Sequence, residues 1–426
     1  MRDLILTAFV LGTIPFILRN PYIGLLMWVW LGIMNPHRFT WGFAYSMPFA
    51  QIVALSTLVA MLVHAKKLNP LPNDRAFIAL VLFVLWLNVS PLFALNPDFE
   101  AESSLWSRAL KIQIMVIVAF LLVSSRTQLH WLTWVLAVSV GFFGIKGGVF
   151  TIMTAGAHRV WGPAQSFIAD NNTLALAMIM VVPLFRYLQL HSGNKWVRIG
   201  CVAAMLLCVV SIIGSHSRGA ILALAGMSFF LFTKSRKKGL IALAILLALP
   251  VAWHLMPESW IERMTTIKTY EEDSSAMSRI NAWWVAWNVA VDRFPIGGGF
   301  AMWIQSTYQK YSPGLFSPYV AHSIYFQILG EHGFVGLALF LMVFGLAWLN
   351  GSWVMRATKE KPELLWAYDL ASMCQVSLVG YAVGGAFLSL TYFDLPYYIV
   401  VILIMLRRFV RQENESPVPV ARTVAA

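Results

Sequence analysis

Charged residues are scarce in this chain. Aspartate, glutamate, lysine and arginine make up 12% of its 426 residues, whereas hydrophobic residues make up 59% and the mean hydropathy is +0.70. In soluble domains about a quarter of the residues are charged, so this composition excludes a soluble globular domain. Apolar runs long enough to cross a bilayer as helices recur from Leu4 to Leu406, and strand-like alternation is missing. The sequence therefore predicts an all-α polytopic membrane protein.

Cysteine is rare, and the usual motifs of metal and nucleotide chemistry are missing. The three cysteines, Cys201, Cys208 and Cys374, lie inside apolar runs without metal-ligand spacing, so we interpret them as small core residues. The sequence contains no DxD pair, no GxxxxGK[ST] phosphate loop and no HExxH. We therefore expect no metal, no nucleotide and no other cofactor.

The net charge of +12 reflects topology and does not indicate a nucleic-acid partner. The basic residues concentrate in short loops that fall on one side if every apolar run crosses, which is the bias of cytoplasmic loops. The opposite side receives Asn96–Ser104, Thr151–Asn172, Ser215–Gly219 and one long polar loop. We expect that side to face the periplasm of a bacterium, outside its inner membrane.

The apolar runs predict about twelve or thirteen transmembrane helices. The candidate spans are Leu4–Leu18, Tyr22–Met34, Pro48–His64, Ala76–Leu95, Ala109–Val123, Leu129–Phe150, Thr173–Leu190, Val197–Gly214, Ala220–Phe232, Leu240–His254, Phe334–Leu349, Trp366–Leu390 and Pro396–Leu406. The first two are divided by a predicted turn at Arg19-Asn20-Pro21. They form either two crossing helices, with the amino terminus outside, or one broken span, with the amino terminus inside.

A single membrane domain is expected over residues 1–411. One long periplasmic loop interrupts it over residues 256–321, and residues 412–426 are polar and contain proline, which favours a disordered cytoplasmic tail. Within the loop, apolar residues at helical spacing predict an amphipathic helix over residues 279–294 whose tryptophans lie in the bilayer interface. Pro295 and the three glycines after Ile296 are predicted to end this helix.

Several basic residues on the outward side are exceptions to the inside bias. Arg218 lies in a turn of small residues between two apolar runs, where an anionic group can approach the backbone. Lys146 and Arg159 add positive charge on the same side, and the three together predict a phosphate site. The alternative is that these side chains reach lipid headgroups without a catalytic role. Asp170 is predicted to cap the helix that follows it.

Two segments of the long loop region contain the remaining candidates. His322 precedes a short helix at the outer surface, where nearby arginines would lower its pKa and keep its imidazole neutral as a proton acceptor. Arg279 begins the tryptophan-rich helix. Glu331 and His332 form either a structural turn or a second acid and base pair. Further accessory candidates, chosen from their location, are Arg263 and His216.

The order of these motifs resembles the O-antigen ligase family, whose superfamily includes O-antigen polymerases and bacterial protein O-oligosaccharyltransferases. The resemblance extends over most of the chain. The motifs that carry it are Ser217-Arg218-Gly219-Ala220, Ser278-Arg279-Ile280-Asn281-Ala282-Trp283, the turn Pro295–Gly299, His322-Ser323 and Gly330-Glu331-His332-Gly333. The stretches Lys146-Gly147-Gly148, Trp161-Gly162-Pro163 and Asp170-Asn171-Asn172 are similar to a ligase subgroup of exopolysaccharide systems.

The resemblance implies a GT-C-like fold and a metal-independent glycosyltransferase. Its donor would be a glycan on undecaprenyl pyrophosphate, and its acceptor a sugar hydroxyl of lipid A-core. Arg218 and Arg279 would bind the pyrophosphate, and His322 would be the general base. Arg159 and Lys146 are added to the pyrophosphate site from their location and not from the resemblance. The alternatives are a polymerase of O-antigen or exopolysaccharide, a protein O-oligosaccharyltransferase, a polysaccharide-lipid transporter in which Arg218 and His322 line the substrate path, and a structural scaffold.

Overall fold

The computed structural model describes residues 1–234, 239, 274–312, 314 and 317–415. It is all-helical, with 78% helix, and contains no strand within those ranges. We number the helices of seven or more described residues as α1 Arg2–Arg19, α2 Pro21–Met34, α3 Phe49–Val63, α4 Arg75–Val89, α5 Phe99–Leu122, α6 Arg126–Met153, α7 Asn171–His191, α8 Lys195–Gly214, α9 Arg218–Lys234, α10 Ser274–Asp292, α11 Gln305–Tyr311, α12 Ile324–Thr358, α13 Leu365–Gly385 and α14 Asp394–Glu415.

Six of these helices are long and apolar enough to cross a membrane. They are α4 with the turn that continues it to Phe93, α5, α6, α7, α8 and α12, whereas α2 and α3 are shorter apolar helices. The protein is therefore a multi-pass membrane protein, and the larger count of about twelve stays a prediction. The candidate span Leu240–His254 lies outside the described residues, as does most of the first half of the long loop.

Side-chain caps set the beginnings of several helices. Asp98 caps α5 through the amides of Glu100 and Ala101, so that helix begins ten residues before the predicted span. Asp170 accepts from the Asn172 amide at 2.8 Å, which confirms the predicted cap of α7.

At the carboxyl end of the chain, α14 continues to Glu415, so the first four residues of the predicted tail are helical. Residues 416–426 are not described.

The first two helices form an antiparallel hairpin. Asn20 ends α1 and caps α2, which confirms the predicted turn. Near the turn, the Tyr22 hydroxyl donates to the Gln128 carbonyl at the start of α6. At the opposite end, Asp3 accepts from the Gly42 and Ala44 amides, each at 3.0 Å. The amino terminus therefore lies at the end of the bundle where the α2–α3 loop lies.

Polar contacts separate the loops into two groups at the two ends of the bundle. At one end, Asn96 donates to the Ala301 carbonyl at 3.1 Å, and Glu102 accepts from the Phe300 and Ala301 amides at 2.7 Å. These contacts join two segments that the sequence places outside. Which compartment this end faces stays a prediction.

The opposite end brings together segments that the sequence places inside. Asp74 accepts from Asn350 at 3.0 Å and from Arg407 at 3.2 Å, and Asn69 donates to the Leu121 carbonyl at 3.0 Å. The contacts at both ends therefore agree with the predicted division of the loops. Between them, α7 is the most enclosed of the six long helices, with 83% of its most apolar window buried.

Helix α12 contains a sharp break at Gly333, as the sequence predicts for the segment after Glu331. The φ of Gly333 is 68°, and a Cβ placed there would lie 2.0 Å from the Pro295 carbonyl oxygen. The Gly298 amide donates to Gly330 at 2.8 Å, and the next amide donates to Glu331 at 2.9 Å. The Pro295–Gly299 turn therefore packs directly on the break, and the two motifs form one structural unit.

We expect Gly333→Ala to lower the thermal midpoint of the purified protein by roughly 5 °C or more. A side chain in this conformation is strained, and the contact with Pro295 adds to a cost on the order of 2–3 kcal/mol. Gly345→Ala in the same helix is the matched control, because a Cβ there meets no atom within 4 Å. Its midpoint should stay the same or rise slightly. Equal midpoints for the two variants would contradict this interpretation of the break.

Candidate active site

The turn before α9 is fixed by contacts from two neighbouring segments. The Asn171 side chain donates to the Ser215 carbonyl at 2.7 Å, and the Val160 amide donates to the Gly214 carbonyl at 3.2 Å. The amino-terminal ends of α7 and α9 therefore lie side by side. Arg218, the first residue of α9, is half-buried at this junction.

His322 lies immediately before the first turn of α12. Its φ is 45°, a left-handed conformation that is uncommon for residues other than glycine. The Trp283 indole donates from Nε1 to the Ala321 carbonyl at 2.7 Å, and its ring stacks on Phe326 with centroids 5.0 Å apart. The His322 ring itself contacts Tyr319, with ring centroids 4.9 Å apart. These contacts hold the imidazole at the start of α12 and beside α10.

The surroundings of His322 favour the neutral imidazole. Burial lowers the pKa of His322 to about 4, the positive charge of Arg279 acts in the same direction, and the negative charge of Asp170 opposes them. Among the residues that the structure describes, no group bonds to the buried Nδ1 of His322 or to the buried Nε of Arg279. The ring is therefore a proton acceptor at neutral pH, and a basic side chain close to it has hydrogen-bonding capacity for a ligand.

Phe387, just after α13, connects the Arg218 turn with His322. A Cβ on Gly219 would lie 3.1 Å from the Cβ of Phe387, and the Phe387 ring lies 6.4 Å from the Trp283 ring. Trp283 in turn holds the residue before His322. Together with the effect of Asp170 on His322, this chain of contacts brings Arg218, Arg279 and His322 to one end of the bundle.

Helix termini add to the positive potential of this site. The first residues of α7, α9 and α12 all lie at this end, and Arg279 lies in the second turn of α10. Amide groups at a helix amino terminus lack partners within the helix, and the helix dipole places a partial positive charge there. With the two arginines, the site is therefore suited to a phosphate-bearing group.

The other basic candidates lie around this site in different settings. Arg159 is exposed, and the residue after it, Val160, donates its backbone amide to the Gly214 carbonyl. Lys146 is also exposed, and its Nζ lies 5.6 Å from the centroid of the Phe39 ring. His216 is buried, and its Nε2 is 2.9 Å from the Gly156 carbonyl, so that imidazole has a structural partner. Arg263 lies outside the described residues.

Glu331 and His332 are buried in a hydrogen-bond network at the α12 break. The Tyr392 hydroxyl donates to Glu331, and the Trp303 indole donates to the same carboxylate at 2.8 Å. His332 Nε2 lies 2.5 Å from the Tyr392 oxygen, and its Nδ1 lies 2.5 Å from the Ser90 oxygen. Since the Tyr392 proton goes to Glu331, His332 must donate from Nε2 and accept from Ser90. Both residues are thus engaged in positioning the break.

The sequence did not single out three residues that organise this site. Asp170 was interpreted as a cap only, yet its charge also acts on His322. Trp283 was assigned to the lipid face with its neighbours, but it is half-buried and bonds to the Ala321 carbonyl, whereas Trp284 and Trp287 are exposed. Phe387 lies in a distant segment and carried no local signal. The available signal was the helical spacing itself, because Trp283 lies one residue away from the apolar face that contains Trp284 and Trp287.

Removal of the Trp283 indole donor should slow the glycan transfer that the family resemblance implies, without unfolding the protein. Trp283→Phe keeps an aromatic ring against Phe326 but loses the bond to Ala321, so His322 becomes less well oriented. We expect the turnover number to fall about tenfold, since a displacement of roughly 1 Å can cost up to about a hundredfold. Trp284→Phe is the matched control, because Trp284 is 53% exposed. A full turnover number for Trp283→Phe would show that the bond does not orient His322.

No group of three or more metal-ligating side chains is present within the described parts of the chain.

Two family models match the chain, and no curated protein matches it. Residues 1–193 match a family of unknown function (DUF5935), and residues 203–341 match the O-antigen ligase family. The second match contains Arg218, Arg279, His322 and the α12 break, and the family is of the ligase or polymerase type of glycosyltransferase. Residues 203–341 therefore form a domain of the O-antigen ligase family.

Proposed function

We propose that the protein transfers an O-antigen or related glycan from undecaprenyl pyrophosphate to a sugar hydroxyl of lipid A-core, at the periplasmic face of the bacterial inner membrane. The observation that carries the proposal is the setting of His322, a half-buried neutral imidazole under the influence of the Arg279 charge. A base next to a phosphate-binding cation is the pair of groups that this reaction needs.

The donor side of the reaction requires stabilisation of a leaving group. Negative charge grows on the pyrophosphate as its bond to the sugar breaks, and fixed positive charges near that oxygen lower the barrier. Arg218 and Arg279 have planar guanidinium groups that bind phosphate oxygens in pairs. Arg159 and Lys146 are assigned to the outer part of the same site, and Arg263 and His216 to accessory positions. This mechanism uses no metal ion.

The acceptor side requires a base. The acceptor oxygen attacks the anomeric carbon, the bond from that carbon to the pyrophosphate oxygen breaks, and its electron pair leaves with the pyrophosphate. The acceptor proton moves to a ring nitrogen of His322. One direct displacement inverts the anomeric configuration and needs no covalent intermediate. Glu331 and His332 support this step by fixing the helix that follows His322.

A reconstituted transfer assay tests the proposal. Purified protein in lipid vesicles receives a glycan on undecaprenyl pyrophosphate, together with lipid A-core, a second lipid-linked glycan or an acceptor protein in separate reactions. We expect transfer to lipid A-core, with an inverted linkage identified by mass spectrometry and NMR, and an unchanged rate in the presence of a chelator.

Each other outcome identifies a different function. Product made only from two lipid-linked glycans would replace the proposal by a polymerase, and product made only on protein would replace it by a protein glycosyltransferase. Movement of lipid-linked glycan across the vesicle membrane without a new linkage would support a transporter. A linkage with retained configuration would contradict direct displacement.

A further inference from the structure

A cavity of about 470 Å³ lies far along the chain from His322, within the region that matches the family of unknown function. The α2–α3 loop, α3 and the middle of α5 line it. Its volume falls within the range of ~300–1,000 Å³ that is usual for small-molecule sites. The proposed transfer reaction assigns no task to this cavity.

Basic side chains collect at this cavity. Arg38 and Lys111 are both among its lining residues. Among the described residues, the lining contains no carboxylate. The side chains that line the cavity therefore carry a net positive charge.

The polar atoms of the α2–α3 loop retain unused bonding capacity. Within the described part of the chain, the buried Nε of Arg38 and the buried Nδ1 of His37 have no hydrogen-bond partner. The Arg38 guanidinium lies over the Tyr45 ring, with its Cζ 4.6 Å from the ring centroid. This contact holds the guanidinium group at the cavity, so it does not extend into solvent. Burial and the charge of Arg38 lower the pKa of His37 to about 4, so His37 is neutral and offers hydrogen bonds only.

Lys111 is in an unusual position for a cation. It lies in the apolar part of α5, which is long and apolar enough to span a membrane, and it is exposed on the outside of that helix. An ammonium group there is costly unless it is wetted or paired with an anion. No hydrogen bond or ion pair joins Lys111 to another described residue, which is consistent with a partner from the membrane itself.

The remainder of the cavity is apolar and opens towards the lipid-facing surface. Leu55, Leu58 and Ile114 line it and are 57%, 36% and 41% exposed. They extend from the loop along α3 and α5, into the membrane region. A ligand that matches this arrangement has an anionic head at Arg38 and Lys111 and a hydrocarbon chain beside these three side chains.

The loop that contains Arg38 lies at the same end of the bundle as the candidate active site. Phe39 packs against Phe142 and Phe143 in α6, with ring centroids 5.6 and 5.8 Å apart. Thr151, further along α6, lies against Gly214 at the Arg218 turn, since a Cβ on that glycine would be 2.1 Å from the threonine hydroxyl. One helix therefore connects the two sites along the outward-assigned side.

We propose that this cavity is a second lipid site, which binds one phosphate-bearing membrane lipid with its phosphate at Arg38 and Lys111 and an acyl chain along Leu55, Leu58 and Ile114. Arginine and lysine each form charge-assisted hydrogen bonds with phosphate oxygens. The apolar wall adds burial of the chain, which a free phosphate ion lacks. The region of unknown function thereby gains a specific task, the capture of an anionic lipid beside the transferase domain.

Native mass spectrometry of the full-length protein in detergent tests this site. The protein receives equal amounts of dipalmitoyl phosphatidic acid and dipalmitoylglycerol, which differ only in the phosphate. We expect selective retention of phosphatidic acid, and a loss of about tenfold in its affinity in Arg38→Gln and in Lys111→Gln. Leu58→Trp, which fills the apolar part, should weaken retention while both cations remain.

Lys195→Gln at the exposed start of α8 is the matched control and should bind as the unaltered protein does. Thermal midpoints without added lipid identify any variant that fails to fold, and exposed Lys111 provides a substitution that removes no contact within the protein. Equal retention of the two lipids, or equal affinity of Lys111→Gln and Lys195→Gln, would overturn the proposal. The assay contains no glycan donor, so its result is independent of the transfer reaction.

Discussion

Replacement of His322 by asparagine should reduce the transfer rate by about 10²–10⁴-fold, which is the usual contribution of a general base. Asparagine is the sharper substitution, because it tolerates the left-handed backbone at this position better than alanine does. It keeps a polar side chain but cannot accept a proton at neutral pH. His322→Ala should lose activity to the same extent and serves as a second variant.

The pH profile separates a base from a merely structural histidine. With a pKa of about 4, His322 stays neutral down to a lower pH than a histidine with the usual value of about 6.5. Protonation removes the acceptor, so kcat/KM should fall only below about pH 5, with a midpoint near pH 4. Arg279→Gln removes one of the groups that lower this pKa, so the acid limb should move to higher pH, although burial keeps the pKa below the usual value.

His158→Asn is the matched control, since His158 is an exposed histidine in the α6–α7 loop. Its rate and its pH profile should equal those of the unaltered protein. A full rate for His322→Asn would exclude the general base. An acid limb near pH 6.5 that persists in His322→Asn would assign the titration to another group.

Local patterns were sufficient for most of the helices and for the α12 break. Apolar periodicity and caps act over a few residues, so α6 and α8 agree with the predicted spans to within a few residues at each end. The start of α5 was placed too late, because Glu100 and Glu102 were interpreted as loop residues. Asp98 caps the helix, and the Glu102 carboxylate accepts two amides of the Phe300 segment, so this acidic stretch is helical.

The assembly of the site depends on long-range contacts that no local pattern encodes. His322, Arg279 and Arg218 could be selected by residue type and by their order along the chain. Their convergence depends on Phe387 and Trp283, which lie in different helical segments. The basic cavity at Arg38 was missed for a similar reason, because two predicted spans separate Arg38 from Lys111 and the two residues meet only in the folded chain.

Substitution of either arginine should affect the donor more than the acceptor. We expect Arg279→Gln and Arg218→Gln to reduce kcat/KM for the lipid-linked donor by about 10²–10³-fold, because each removes a charged donor from the leaving pyrophosphate. Arg279→Lys should recover part of this loss, since an ammonium supplies the charge without the planar fork. Arg198→Gln, exposed on α8, is the matched control and should keep the full rate.

Product inhibition distinguishes this role from that of His322. Undecaprenyl pyrophosphate should inhibit the unaltered protein and His322→Asn at similar concentrations, because both retain the two arginines. In Arg279→Gln the inhibition constant should rise at least tenfold, since a hydrogen bond between charged groups contributes about 1.5–3 kcal/mol. If the inhibition constant instead rose in His322→Asn and stayed the same in Arg279→Gln, the roles of the two residues would have to be exchanged, with the histidine at the pyrophosphate and the arginine at the acceptor.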